Sequence, residues 1–76
     1  MFGQLLHDKR TAKNLTMQQL ADLLSAKYNT KISSSMIFRW EKGAVPSLKA
    51  LFIVAIELQI DLNQLATLVA DSNRVN

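Results

Sequence analysis

Apolar residues recur every three or four positions along most of the chain and nowhere alternate strictly with polar ones. An α-helix that buries one face shows this spacing, because it turns by about 100° per residue. The pattern therefore predicts an all-α domain of five helices, without an internal repeat or a linker. The predicted helices span about 2–13, 17–28, 34–42, 48–58 and 62–69.

Residues that favour helix ends stand at the predicted boundaries. Thr16 and Asp61 each precede a glutamine by three positions, the spacing of a capping box that satisfies two backbone amides. Ser33 and Ser47 stand where single N-caps are expected. Gly43 is placed to end the third helix in a left-handed conformation.

The predicted third helix, within the stretch SSSMIFRWEKG, has two faces of different character. Met36, Ile37 and Trp40 fall on one side, as a buried face requires. The opposite side carries small hydroxyls, a ring and cations: Ser34, Ser35, Phe38 and Lys42, with Arg39 at its edge. We expect such an outward face to serve a partner, since holding the fold together does not require it.

The composition is that of one small domain able to build a core. The chain has 76 residues, of which 49% are hydrophobic and 20% charged, unlike a disordered segment. Absence of cysteine excludes disulfides and thiolate sites, and fits a cytoplasmic setting. The longest apolar run, 51–56, is far below the roughly 20 residues of a membrane helix, and no secretion signal opens the chain. We expect a soluble domain over 1–70 and a short tail over 71–76.

The formal charge of +3 and the pI near 9.6 permit nucleic-acid binding without requiring it. The cations are concentrated in the first two thirds of the chain, because only Arg74 follows Lys49.

The residues give little support to an enzyme or a metal site. His7 is the only histidine, and no matching metal ligand, phosphate-binding glycine loop or nucleophile motif accompanies it. Glu57 and Asp61 are four apart, but Asp61 has a capping role and a helix break is expected between them. We therefore expect no catalysis, no metal and no cofactor, with His7 facing solvent or hydrogen-bonded on helix 1.

A helix with this outer face suits the major groove of B-DNA, where base edges offer donors, acceptors and the thymine methyl. Ser34 and Ser35 are short enough to let the backbone approach, Arg39 can reach guanine O6 and N7, and Phe38 can press on a thymine methyl or a sugar. Each has a commoner structural role, because serines often cap helices and an arginine is often a solvated charge. An outward Phe38 beside a buried Trp40 calls for a partner or for an unrecognised packing contact.

The order LTMQQLADLL, ISSSMIFRWEKG, PSLKALFIVAIEL and DLNQLA resembles the phage Cro/repressor-type, or Xre-like, helix-turn-helix family. The resemblance extends from about Leu5 to Leu68. Its most specific part is Ile-x-x-Trp-Glu-x-Gly followed by Pro-x-Leu, from Ile37 to Leu48. It implies a compact five-helix, lambda-repressor-like fold and sequence-specific binding of double-stranded DNA by a transcriptional regulator. More narrowly, it implies a repressor of phage or mobile-element type that occupies an operator.

The resemblance also implies roles for individual residues. Arg10 and Glu41 match a pair that joins helix 1 to the end of helix 3, and we expect this pair to be structural. The base-facing positions are Ser34, Ser35, Phe38 and Arg39. Ser33 and Lys42 stand where phosphate contacts are common.

The chain departs from the family pattern at two places. Met17 stands where the family often has a glutamine that bonds phosphate, so Gln18 or Thr16 is expected to replace it. The segment SAKYNTK, 25–31, makes this region about six residues longer than the compact form. We expect a longer second helix and a looser turn that bring lysines near the DNA backbone. The full set of expected phosphate contacts is Thr16, Gln18, Lys27, Lys31, Ser33, Lys42 and Lys49.

The predicted fourth helix is apolar nearly all round, which is more than one small domain buries easily. Part of it is expected to face helix 5 and part a second subunit. The predicted dimer surface consists of Ile56, Ile60, Leu65, Leu68 and Val69. A helix that is simply central to a five-helix core is the alternative. Two-fold operators, implied by the resemblance, would make a dimer useful.

Two other functions fit the residues. The chain could be a protein-interaction module, such as an antitoxin that covers a toxin or a regulator bound by a partner through Phe38. It could also be a domain cut from a longer regulator. A DNA-binding domain is expected to bind duplex with salt-dependent affinity, whereas an interaction module would bind weakly at any sequence.

Overall fold

The computed structural model describes residues 2–61 and 63–66 of the chain. Four helices are complete there: α1 (Phe2–Ala12), α2 (Met17–Lys27), α3 (Ser34–Glu41) and α4 (Leu48–Glu57). Residues 63–66 form a further helical turn, and no strand occurs in these ranges. The predicted all-α fold is confirmed, with the first four helices within one residue of their predicted bounds. The predicted end of the fifth helix and the predicted tail lie outside the described residues.

The helix ends are formed by the expected capping residues. Thr16 Oγ1 accepts from the amide of Gln19, whose side chain accepts from the Thr16 amide, at 3.0 and 2.9 Å. Ser33 and Ser47 each accept the backbone amide three positions ahead. Gly43 follows α3 with a φ of 116°, as a residue that ends a helix by turning left requires.

Asp61 starts the last helical turn through a different amide from the one expected. Its Oδ1 accepts from the backbone of Asn63 at 3.1 Å, two positions ahead. Either of these amides is free at a helix start, so the residue caps in both cases. The helix break expected just before it is present, and Gln59 has a φ of 56° there.

One apolar core joins α1, α2, α3 and α4. Helix α3 lies between α1 and α2, and α2 also contacts α4. The side chains that are completely inaccessible include Leu6, Leu20, Leu24, Ile37 and Val54. Because α3 contributes Ile37 and Trp40 to this core, one side of the helix is fixed against the scaffold.

Helix α1 crosses the end of α3 at very short range. A Cβ built on Gly3 would lie 2.6 Å from the backbone oxygen of Glu41 and 2.8 Å from that of Trp40. Only a residue without a side chain fits there without a shift of backbone. The close crossing places the start of α1 directly on the carboxyl end of α3.

The connection between α2 and α3 is longer than in the compact form, but the expectation of a looser turn is wrong. Helix α2 continues to Lys27, inside the inserted segment, as expected. The Ser25 hydroxyl donates to the carbonyl of Ile32 and accepts from its amide, both at 2.9 Å. Asn29 turns the chain with a φ of 50°. These hydrogen bonds close the segment at its base and give it a defined path.

The predicted dimer surface is wrong at two positions. Ile60 and Leu65 are only 5% and 3% exposed, because they pack into the core, so a second subunit cannot reach them. Ile56 is 65% exposed, as a surface residue must be. Leu68 and Val69 lie outside the described residues.

The exposed side of α4 carries a row of large apolar side chains. Leu48, Phe52 and Ile56, spaced by four residues, keep 66%, 45% and 65% of their surface exposed among the described residues. Residues at this spacing share one face of a helix. We call these three residues the α4 stripe. Across the described ranges, no helix is long and apolar enough to cross a membrane.

Candidate nucleic-acid interface

The outer face of α3 is open in the part of the chain that the structure describes. Phe38 keeps 48% of its surface exposed, and Ser35 and Arg39 are exposed beside it. On the opposite side, Trp40 is only 6% exposed. The helix therefore presents a polar and aromatic surface outward while its other side is anchored.

The three consecutive serines have separate roles. The Ser33 hydroxyl caps α3 by accepting from the amide of Met36 at 3.2 Å. Ser35 is exposed and Ser34 is half-buried, and neither side chain bonds another described residue. Their hydroxyls thus lie in the first turn of α3 without structural work within the described ranges, whereas Ser33 is occupied as a cap.

The two cations of α3 lie in different surroundings. Arg39 is exposed and forms no ion pair with any residue in 2–61 or 63–66. Lys42, the residue that ends the helix, places its Nζ 5.5 Å from the centroid of the Phe38 ring. A cation within about 6 Å of a ring centroid is attracted by the ring. Phe38 therefore already has a neighbour of defined chemistry on this face.

Arg10 and Glu41, which were expected to pair, join α1 to the last residue of α3. Arg10 Nε donates to Glu41 Oε2 at 2.6 Å, and Nη2 donates to Oε1 at 3.2 Å. Arg10 Nη1 also donates to the carbonyl of Leu15 at 2.8 Å. The two side chains are 10% and 5% exposed, so the pair is largely withdrawn from water.

A third side chain adds to this pair. His7 Nδ1 lies 3.0 Å from Glu41 Oε1, which is a hydrogen bond when Nδ1 carries the proton. Burial raises the pKa of the Glu41 carboxyl, but the bonds from Arg10 and His7 outweigh it, and the pKa lies below its ordinary value. The hydrogen bond to Glu41 raises the pKa of Arg10. The carboxylate therefore stays charged and holds both residues of α1.

The inserted segment is tied to α4 through Glu57, a contact that the sequence analysis did not foresee. Lys27 Nζ lies 2.9 Å from Glu57 Oε1, and the Tyr28 hydroxyl donates to the same oxygen at 3.1 Å. The bond from Lys27 lowers the pKa of Glu57 most strongly, and the pKa lies below its ordinary value despite opposing burial. A signal existed, because Glu57 is the only charged residue between Lys49 and Asp61.

The remaining expected phosphate contacts occupy different local environments. Gln18 donates to Asp22 of its own helix at 2.8 Å, and Thr16 is engaged in its capping box. Lys31 is exposed and lines an open recess with Ser33 at the start of α3. Lys49 is exposed near the start of α4. Within the described ranges, neither of these two lysines forms an ion pair.

The comparisons with known proteins were made for the whole chain. A family model described as helix-turn-helix matches residues 6–65. The match covers most of α1 and all of α2, α3 and α4, together with the inserted segment. No curated protein and no solved structure matches the chain significantly.

Proposed function

Because the chain belongs to the Cro/repressor-type helix-turn-helix family of DNA-binding transcription regulators, we propose that it recognises a specific operator in double-stranded DNA. The proposed mechanism is occupancy of that operator, as in a repressor of phage or mobile-element type, with α3 in the major groove. The observation that carries the proposal is the combination of an open outer face and an anchored inner face on α3. A major groove about 12 Å wide admits one α-helix presented in this way.

The proposed base contacts are the outward side chains of α3. Arg39 supplies forked donors that match the O6 and N7 acceptors of guanine. Ser34 and Ser35 supply short hydroxyls at the start of the helix, and Phe38 supplies an apolar surface for a thymine methyl. The free state of Arg39 within the described chain supports this assignment, since no internal carboxylate must be displaced.

The proposed phosphate contacts surround that face. Lys31 at the start of α3, Lys42 at its end and Lys49 on α4 are exposed cations that the described residues do not neutralise. Ser33, Thr16 and Gln18 can add neutral contacts. Lys27 stands apart, because in the free chain its ammonium is held by Glu57 and would have to leave that carboxylate to reach a phosphate.

We propose that a second copy of the chain covers the α4 stripe when two copies bind one operator. The stripe is symmetric about Phe52, so a two-fold axis through that point sets Leu48 of one copy against Ile56 of the other. Such self-complementarity is what an isologous interface requires. Three side chains are few beside the roughly 800 Å² per partner of a standard interface. We therefore expect association on DNA and only weak association in free solution.

Selection of bound sites from random duplexes tests the proposed function directly. The expected result is an enriched motif, repeated with two-fold symmetry if two copies bind. Arg39→Ala should then weaken discrimination at one base pair by about 1–3 kcal/mol. Lys9→Ala, which removes a cation from α1 instead, serves as the matched control. Weak binding without an enriched motif would contradict the proposal and favour a protein-interaction module.

A further inference from the structure

Lys42 and Phe38 form a pair on the surface of α3 that neither the fold nor the proposed phosphate role explains. The ammonium lies 5.5 Å from the ring centroid, and the ring is 48% exposed. The two residues are four positions apart, so they are neighbours on one face of the helix. Lys42 forms no ion pair with any carboxylate in the described ranges.

We propose that Lys42 is a positioning residue for Phe38, whose ring it holds in one orientation on the outer face of α3. Its contribution to sequence recognition then passes through the ring and is not limited to attraction of the DNA backbone. The surface so presented is apolar and suits the methyl of a thymine in the major groove. The part of this proposal that concerns DNA rests on the proposed function, whereas the pairing itself belongs to the free chain.

The backbone gives the pair a fixed base. The amide of Lys42 donates to the carbonyls of Phe38 and Arg39, both at 3.1 Å, so both residues start from ordered positions. Gly43 then turns the chain away with its positive φ. Only the side-chain torsions remain to be restricted, and an exposed phenylalanine otherwise exchanges between rotamers.

The attraction is strong enough to change how often the ring adopts the required rotamer. At an exposed site it corresponds to about a two- to fivefold shift in population. A ring that is already oriented loses less freedom on binding, so the same factor should appear in affinity for the preferred base pair. Affinity for other base pairs should change less, because the ring has no methyl to contact there.

The pairing can be tested in the free protein by nuclear magnetic resonance. We expect the ε-methylene protons of Lys42 to be shifted upfield by the ring and to return to ordinary positions in Phe38→Leu. The Hα–Hβ couplings of Phe38 should indicate one dominant rotamer in the unsubstituted chain and averaging in Lys42→Gln. Lys49→Gln, which removes an exposed lysine with no ring nearby, should leave those couplings unchanged. Unshifted Lys42 protons would overturn the proposal.

The consequence for recognition can be tested with the duplex obtained by selection. Lys42→Gln should reduce discrimination about two- to fivefold at the base pair that also responds to Phe38→Leu. In the Phe38→Leu background the same substitution should not reduce discrimination further. Lys42→Arg should retain discrimination, because a guanidinium also binds a ring face. Replacement of the contacted thymine by uracil should remove the effect of Lys42→Gln.

Two other results have distinct meanings. A Lys42→Gln effect that is equal at all sequences, unchanged by Phe38→Leu and accompanied by a salt slope lower by about 0.9, would leave only a phosphate contact and overturn the proposal. Absence of any preferred duplex would contradict the proposed function and remove the recognition role with it. The resonance experiment would then decide the pairing by itself.

Discussion

Arg10 and Glu41 are 31 positions apart in sequence and lie 2.6 Å apart, so the first helix holds the last residue of the third. The contact fixes α3 at the end opposite its Ser33 cap. Since Gly3 also lets α1 approach the same backbone, the orientation of the proposed DNA-binding face depends on this crossing. The pair acts on recognition only through the position of α3.

Glu41→Gln should destabilise the fold by about 3 kcal/mol, because it leaves the guanidinium of Arg10 withdrawn from water without a counter-charge. Urea unfolding followed by circular dichroism measures the loss. Asp22→Asn, which changes an exposed carboxylate bonded within its own helix, should cost less than about 0.5 kcal/mol. The double variant Arg10→Met with Glu41→Leu should be more stable than Glu41→Gln alone. Equal stability of Glu41→Gln and Asp22→Asn would show that the pair contributes little.

The same carboxylate should make stability depend on pH in the acid range. The folded-state pKa of Glu41 lies below its ordinary value of 4.5, so the unfolded chain binds more protons between the two values. The contribution is therefore fully present above about pH 4.5 and is lost as the pH falls through the folded-state pKa. Glu57 adds a smaller dependence of the same sign. Unfolding free energies measured from pH 7 to pH 3 should fall more steeply for the unsubstituted chain than for Glu41→Gln.

The salt dependence of DNA binding should separate the two lysines of the inserted segment. Lys31→Gln should lower the slope of log affinity against log salt by about 0.9, the value for one neutralised phosphate. Lys27→Gln should lower it less, because Lys27 is bound to Glu57 and must give up that pair. Titrations of one duplex at several salt concentrations give both slopes. A larger change for Lys27→Gln would mean that the pair with Glu57 opens on DNA.

Substitution in the α4 stripe should weaken the association of two copies without unfolding either. Ile56→Gln and Leu48→Gln replace side chains that are about two-thirds exposed, so the effect on stability should be small. On a duplex with two half-sites they should reduce cooperativity, and on a single half-site they should leave affinity unchanged. Val45→Gln, at a 74% exposed position outside the stripe, is the control. Unchanged cooperativity would assign the stripe to another occupant, such as residues 67–76 or a different protein.

The helices and their caps could be predicted from the sequence because both depend on residues a few positions apart. Thr16 with Gln19 specifies a capping box locally, and Ile37 with Trp40 specifies one face of α3. The burial of Ile60 and Leu65 could not be obtained in this way, since an apolar residue after a helix break suits a core and an interface equally. Their surroundings are set by helices far away in sequence.

The candidate site was predictable to a similar degree. The outward direction of Phe38 and Arg39 followed from helical periodicity, but the partners of the cations did not. Whether Lys27 is free depends on Glu57, which is 30 positions away, and the orientation of Lys42 toward Phe38 depends on side-chain rotamers. Periodicity assigns a residue to a face, whereas charge pairing requires the distance between two faces.

The Ser25 hydroxyl bonds both backbone groups of Ile32, so the peptide between them departs from and returns to nearly the same point. Everything from 26 to 31 is thus an excursion hung on one side chain. Its length can change while the entry to α3 stays where it is. A chain built this way is free to acquire or shed positive charge beside the groove without any adjustment of the helix that enters it.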